Sequence, residues 1–222
     1  PSSTYGGGGH GGSAGEGVDS QAAGFAYGNI YEPDKVGSSG GSGGSGGGVI
    51  WMNVTNTIMI DGEVNSRGGD GAAGGSGGSI WIFCELIKGY GKITAHGGDA
   101  AHENGGGGAG GRVAVYFNRN ETMTAFRFQA IGGKGGLSAE NGGAGTVFVY
   151  HMLEDHKTLI IDNGGHQPKD KFNVIDDYSD LSSDSCRTWI LPVSGSHYFA
   201  GGGYQYHFHE LQMYGAGHLA FL

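Results

Sequence analysis

A fourfold repeat between residues 49 and 150 constrains the fold of this chain more than any other feature of its sequence. Each repeat unit opens with a short apolar segment that follows a run of glycine. The four segments are residues 49–52, 80–83, 113–116 and 147–150, so they recur after 31, 33 and 34 residues. Repeats of this length with strand-like content are typical of solenoids, in which each unit buries its apolar face against the next. The repeat therefore predicts an all-β fold, a parallel β-solenoid.

A second apolar position recurs in each unit, four residues before a glycine pair. These positions are Val64, Ile93, Phe128 and Ile160, which lie 15, 13, 15 and 13 residues after Val49, Ile80, Val113 and Val147. We therefore expect the first residues of the units to stack in one column and the second positions in another. Within each column successive coils should lie about 4.8 Å apart. Side chains alternate across a strand, and the residues at the alternate positions of these segments are apolar as well. The second face of the strands must therefore be covered by the glycine runs, another segment or another protomer.

The glycine runs have a period of their own. Of the 222 residues 51 are glycine, roughly three times the average share of about 7%. Serine occupies every third position in the run 74–79, and it does so in the run 40–48 up to the final glycines. Three residues per turn is the polyproline II period. The alternative is a set of flexible linkers, but linkers need not recur once per unit. We therefore predict a layer of packed polyglycine II helices in which serines such as Ser76 mark the outward face.

The glycine pattern also resembles that of known proteins. The run 6–12, then Tyr27, Gly28 and Pro33, then the glycine–serine run, is similar to the opening of secreted glycine-rich right-handed β-helix proteins, a pectate-lyase-like solenoid family. This resemblance covers roughly residues 5–165 and implies right-handed coils. The glycine–serine runs resemble the polyglycine II bundles of glycine-rich antifreeze proteins and phage tail-tip adhesins. These resemblances imply extracellular binding or structural roles and carry over no catalytic residue.

Composition divides the chain into three parts. Residues 1–48 are a glycine-rich N-terminal segment of the solenoid, residues 49–165 hold the fourfold repeat, and residues 166–222 are C-terminal strands with less glycine, expected to continue the same domain. The strand pattern is still running at Leu222. Because an open solenoid end exposes unpaired backbone groups, we expect a partner there, either a further domain of the same chain or other copies of it.

Charge and cysteine content bear on partners and compartment. The chain carries 12 Lys and Arg against 21 Asp and Glu, with no basic stripe, which argues against a nucleic-acid partner. No apolar stretch approaches the ~20 residues of a membrane span. Cys84 and Cys186 either form a disulfide or remain two free thiols. Asn53 and Asn120 each begin an N-glycosylation sequon. We expect an extracellular or cell-surface protein.

Few residues suggest chemistry. Asp176, Asp177 and Asp180 could form a calcium site or a catalytic pair, although a solvated acidic loop is the favoured interpretation. His207 and His209 lie two apart and could share a metal ion, but no spacing supplies a third ligand. No cofactor motif stands out. We therefore expect no enzymatic activity and no cofactor.

The sequence favours a non-enzymatic extracellular module, structural or adhesive, within a larger surface or filament assembly. The alternative is a β-helix that binds or cleaves polysaccharide, with Trp81, Phe148 and Tyr150 as a face for stacking on sugar rings or for packing. Ice binding is a minor alternative because a regular threonine ladder is absent.

Overall fold

The computed structural model describes residues 5–18, 22–41, 43–121, 127–167, 187–191, 197–198 and 204–221. It confirms an all-β chain with almost no helix, folded as a β-solenoid of about four turns. Within the described residues the strands are β1 (Val49–Met59), β2 (Glu63–Asn65), β3 (Ser79–Lys88), β4 (Lys92–Thr94), β5 (Arg112–Asn120), β6 (Arg127–Gln129), β7 (Thr146–His151), β8 (His156–Asp162), β9 (Thr188–Ile190), β10 (His197–Tyr198), β11 (Tyr204–Gln205), β12 (Glu210–Tyr214) and β13 (Leu219–Phe221).

Each of the first three coils contributes one strand to each of two sheets. The larger sheet has the order β1-β3-β5-β7-β8-β12, and the smaller one has the order β2-β4-β6. Pairing between successive coils is parallel in both sheets. A core made mainly of isoleucine and valine side chains, with Cys84, fills the space between the two sheets. A second, separate apolar cluster forms around Ile30, Leu159 and Ile190. No helix in the described residues is long and apolar enough to cross a membrane.

The predicted first column is confirmed for three coils and wrong for the first. Ile80 pairs with Val113, and Val113 pairs with Val147. Ile50, however, takes the place predicted for Val49, because β1 enters the sheet one residue earlier and Val49 lies beside Ser79. A slip of one residue turns a side chain to the other face. Ile50 therefore packs against the core while Val49 is 41% exposed.

The predicted second column is likewise confirmed for three positions and wrong for the fourth. Val64 pairs with Ile93, and Ile93 pairs with Phe128. Ile160 instead lies in β8, which runs antiparallel to β7 and places Ile160 beside Val147. The chain reverses through the turn 152–155, where Asp155 has a φ of 48°, a left-handed conformation that aspartate tolerates better than most residues. The fourth unit is thus a hairpin within the larger sheet.

The glycine runs are packed segments whose backbone groups bond to several neighbours in turn. In the run 106–111, Gly107 donates to Glu140, Gly108 to Gly98 and Ala109 to Gly8; three residues on, Gly110 donates to Gly143 and Gly111 to Ala95, all at 2.7–3.0 Å. A Cβ added at most glycines of this layer would collide with a neighbouring backbone. Burial of so many peptide groups is tolerable because they find hydrogen-bond partners.

The prediction that serines mark the outward face of this layer is wrong at Ser76. Its side chain is fully buried, and its Oγ accepts from the Ser38 N–H at 2.8 Å and donates to the Gly9 carbonyl at 3.1 Å. Ser45, in the first coil, is exposed as expected. The difference arises because the segments that contain Gly9 and Ser38 lie over the second coil.

Candidate functional site

Six aromatic residues form a continuous strip on the face of the larger sheet that points away from the main core. They are Trp51, Trp81, Phe83, Tyr116, Phe148 and Tyr150, and we call them the aromatic strip. Alternation along β1, β3, β5 and β7 turns all six to one face. The parallel register then places Trp51 beside Trp81, and Phe83 beside Tyr116.

Most rings of the aromatic strip stack on one another. Trp51 and Trp81 have ring centroids 5.8 Å apart and planes 25° apart, and Phe83 and Tyr116 have centroids 4.3 Å apart and planes 18° apart. Tyr150 meets Tyr116 edge to face, with centroids 5.6 Å apart. Aromatic pairs at these separations stabilise by about 0.5–1.5 kcal/mol beyond their area burial. Rings that stack on each other offer less of their faces to a sugar, so the geometry favours a packing role for the inner members.

Another segment of the same chain covers part of the aromatic strip. Residues 27–36, the cover segment, place Tyr31 edge-on against Phe148 with centroids 4.9 Å apart, and Tyr116 Oη donates to the Tyr31 carbonyl at 2.8 Å. Phe148 is consequently only 1% exposed, whereas Trp81 and Tyr150 are half-buried. Burial, and then the neighbouring Tyr206, raises the pKa of Tyr31 to about 12; burial likewise raises the pKa of Tyr116.

The predicted first column put Val49 in the core, and by alternation along the strand this also turned Trp51 toward the core, which is wrong. Trp51 is 64% exposed and lies at the free edge of the larger sheet, and it has no second ring partner among the described residues. Alignment of the units on their tryptophans, Trp51 with Trp81, would have revealed both its face and the true register. The apolar pattern alone could not, because Val49 and Ile50 are interchangeable by hydropathy.

Arg112 was also missed, and it holds three parts of the chain together. Its side chain is fully buried, and its guanidinium donates to the Tyr27 carbonyl at 2.8 Å, to Thr146 Oγ1 at 3.2 Å and to the Trp189 carbonyl at 3.2 Å. Burial lowers the pKa of Arg112 to about 10. Next to it lies His10, which is equally buried and whose Nδ1 donates to the Gly77 carbonyl at 2.7 Å. A single arginine after a glycine pair carries no sequence signal of such a role.

The histidines predicted as metal ligands lie at the surface, and one of them has partners of its own. His207 and His209 are both exposed, but His209 stacks on His156 with centroids 5.2 Å apart, and its Nδ1 accepts from the Lys157 N–H at 3.2 Å. Across the part of the chain that the structure describes, no three His, Cys, Asp or Glu residues are grouped so that they could hold a metal ion. The acidic candidates Asp176, Asp177 and Asp180 lie outside the described residues.

One of the two cysteines, Cys84, and both glycosylation candidates lie on the larger sheet. Cys84 is buried in β3, 3.8 Å from the Tyr116 carbonyl, and burial, followed by Glu85, raises the pKa of its thiol to about 11. Cys186 lies outside the described residues, so the disulfide stays a prediction. Asn53 and Asn120 are both exposed, which is compatible with glycosylation.

No family model, no curated protein and no solved structure among those compared with the chain matches it. Its function must therefore be inferred from its own geometry.

Proposed function

We propose that this chain is a non-enzymatic, extracellular structural or adhesive module that forms part of a larger surface or filament assembly. The observation that carries the proposal is the glycine layer, in which successive N–H groups bond to different neighbouring segments with a period of three residues. That period supports polyglycine II helices as the conformation of the layer. A body cross-linked by backbone bonds in several directions suits a stiff building block.

The solenoid and its glycine layer also support kinship with the secreted glycine-rich right-handed β-helix proteins, which we propose as the family of this chain. Kinship of that kind would fit an extracellular or cell-surface location. It would add no catalytic residue.

The free edge of β1 is the surface through which we propose that copies of the chain assemble. Among the described residues β1 pairs with β3 alone. Its eleven residues include no charge and no proline, and Val49, Trp51 and Met59 are 41%, 64% and 64% exposed. Soluble proteins normally protect such an edge with charges, proline or a covering segment. A second copy could pair with it antiparallel about a two-fold axis, in which case Val54, the middle residue, would face its own counterpart.

Light scattering coupled to size-exclusion chromatography tests this assembly. We expect the wild-type chain to form dimers at micromolar concentrations, burying on the order of 1,000 Å² or more. Thr55→Lys would place like charges close to each other across the two-fold axis and shift the protein to monomer. Leu211→Lys is the matched control, because Leu211 is exposed on β12, the other edge strand of the same sheet, and it should leave the dimer intact. A wild-type protein that stays monomeric at high concentration would contradict the proposal.

Polysaccharide binding is the second candidate function, and Trp51 favours it because the outer face of its indole has no stacking partner among the described residues. Affinity electrophoresis in gels that contain neutral polysaccharides would measure it. Retardation that disappears in Trp51→Ala while Thr55→Lys remains retarded would favour this candidate over assembly.

The proposed absence of catalysis has its own test. Incubation with acidic and neutral polysaccharides, with and without calcium, should release no product. Release that vanishes in a double variant, Asp176→Ala with Asp177→Ala, would instead show that the chain is an enzyme.

A further inference from the structure

A polar groove runs along the smaller sheet. It has a volume of about 420 Å³, and its lining includes Glu63, Arg67, His96, Asp99, Lys134 and His166. Ligand pockets commonly measure about 300–1,000 Å³. The residues of the aromatic strip are not part of this lining, so the groove is independent of the surfaces considered for the proposed function.

Two imidazoles in the groove have their tautomers set by consecutive backbone groups. The Ile131 N–H donates to His96 Nδ1 at 3.0 Å, so that Nδ1 carries no proton and the proton of the neutral ring sits on Nε2. His166 Nδ1 lies 2.8 Å from the Gly132 carbonyl. Because a carbonyl only accepts, His166 Nδ1 carries a proton, and in the neutral ring Nε2 keeps a free lone pair. The groove therefore contains one imidazole donor and one imidazole acceptor.

The neutral form of His96 is favoured by its surroundings. Burial, followed by the positive charge of Arg67, holds the pKa of His96 below its ordinary value, although Glu63 and Asp162 act in the opposite direction. Protonation of Nδ1 would also break the bond from Ile131. The ring of His96 is thus held in its neutral form, with the proton on Nε2.

The lining carries charges of both signs. Glu63 and Asp99 line the groove together with Arg67 and Lys134, and Asp70, outside the lining, is bonded to Arg67 Nη2 at 2.6 Å. The carboxylates also fix the backbone, since Asp70 accepts from the Asp99 N–H and Asp99 from the Lys134 N–H, both at 2.7 Å. A groove that combines charges of both signs with neutral donors and acceptors matches hydroxyl groups, which donate and accept, better than it matches an anion.

We propose that this groove binds a neutral saccharide unit, with sugar hydroxyls that accept a hydrogen bond from His96 Nε2–H and donate one to His166 Nε2. The inference goes beyond the structural role proposed above. It also differs from sugar stacking on Trp51, because it rests on hydrogen bonds at the smaller sheet.

Side-chain ¹H–¹⁵N NMR tests the proposal directly. Spectra of the free protein should show His96 as the Nε2–H tautomer and His166 as the Nδ1–H tautomer. Titration with a panel of neutral sugars (glucose, galactose, mannose, xylose and N-acetylglucosamine, with their β1,4-linked disaccharides) should yield at least one that shifts the Nε2 signals of both residues and not that of His209. Reversed tautomers, or a panel in which no sugar shifts either ring, would overturn the proposal.

Asparagine variants separate binding from folding. In His96→Asn the amide oxygen can still accept from Ile131, and in His166→Asn the amide nitrogen can still donate to Gly132, but each variant loses the Nε2 atom. We expect each to weaken binding of the identified sugar by about tenfold, the effect of one hydrogen bond. His209→Asn is the control on an exposed histidine and should bind as the wild type does. Unchanged affinity in both groove variants would refute the proposed contacts.

Discussion

At the scale of single residues, the buried His10 makes stability depend on pH. Burial, and then the nearby charge of Arg112, lowers the pKa of His10 to about 4 from an ordinary value of 6.5. Below pH 6.5 the unfolded chain binds a proton at His10, whereas His10 in the folded chain stays neutral down to about pH 4. The free energy of unfolding therefore decreases as the pH falls from 6.5 to 4. The loss should amount to about 3 kcal/mol. Urea unfolding at pH 7 and pH 4 measures it.

The contribution of His10 can be separated from that of the carboxylates by substitution. In His10→Asn the side-chain amide can keep the bond to the Gly77 carbonyl but does not titrate, so this variant should lose less stability than the wild type over the same interval. His209→Asn, at an exposed position, should lose as much as the wild type. Equal losses in all three proteins would show that His10 does not stay neutral in the folded state.

The buried Arg112 should matter far more than a surface arginine. Arg112→Met leaves the carbonyls of Tyr27 and Trp189 without their donor, at about 1–3 kcal/mol for each group left unsatisfied. Arg119→Met removes only an exposed ion pair with Glu85, 3.2 Å long, which is worth about 0–1 kcal/mol. Chemical denaturation of both variants gives the comparison. Similar losses would mean that other donors or water replace the guanidinium.

At the scale of elements, the glycine layer is the part that tolerates side chains least. A Cβ at Gly77 would collide with the Ala95 carbonyl oxygen and lie 2.7 Å from the Gly111 nitrogen, whereas a Cβ at Gly48 would meet no heavy atom within 4 Å. We therefore expect Gly77→Ala to destabilise by about 1–3 kcal/mol or more. Gly48→Ala should be neutral, or should stabilise by up to about 1 kcal/mol by restricting the unfolded chain. Thermal melts that show equal, small effects would mean that the runs behave as linkers.

Recurring spacing decides which strands can be predicted from the sequence. The columns through Ile80 and Ile93 could be predicted because the distances between apolar residues and glycine recur there. The register of β1 could not be predicted, because Val49 and Ile50 are both apolar and only packing decides which of them turns toward the core. The hairpin that diverts Ile160 depends on a local turn, and its spacing of 13 residues matches that of a true coil. In the site, the shared face of Trp81, Phe148 and Tyr150 was predictable from alternation along the strands, whereas the burial of Phe148 depends on a distant cover segment.

At the scale of the whole molecule, the two ends of the larger sheet differ in chemistry. β12 carries Glu210, which lies 3.6 Å from His156 and accepts from Gln212 at 2.7 Å. β1 carries no charge along its eleven residues. Charge on an edge strand opposes the addition of another strand, so a second copy should add at β1 and not at β12.

Hydrogen exchange can detect that preference for β1. Alternate amides of β1 point away from β3, and these should exchange quickly in dilute protein because no described strand pairs with them. β3 and β5 are paired on both sides and should exchange slowly at every concentration. If two copies meet through β1, a rise in protein concentration should slow exchange in β1 and leave β12 unchanged, because only β1 gains backbone hydrogen bonds. Thr55→Lys should abolish the concentration dependence and Leu211→Lys should preserve it. A concentration dependence in β12, or none in β1, would show that the solenoid does not assemble through its uncharged edge.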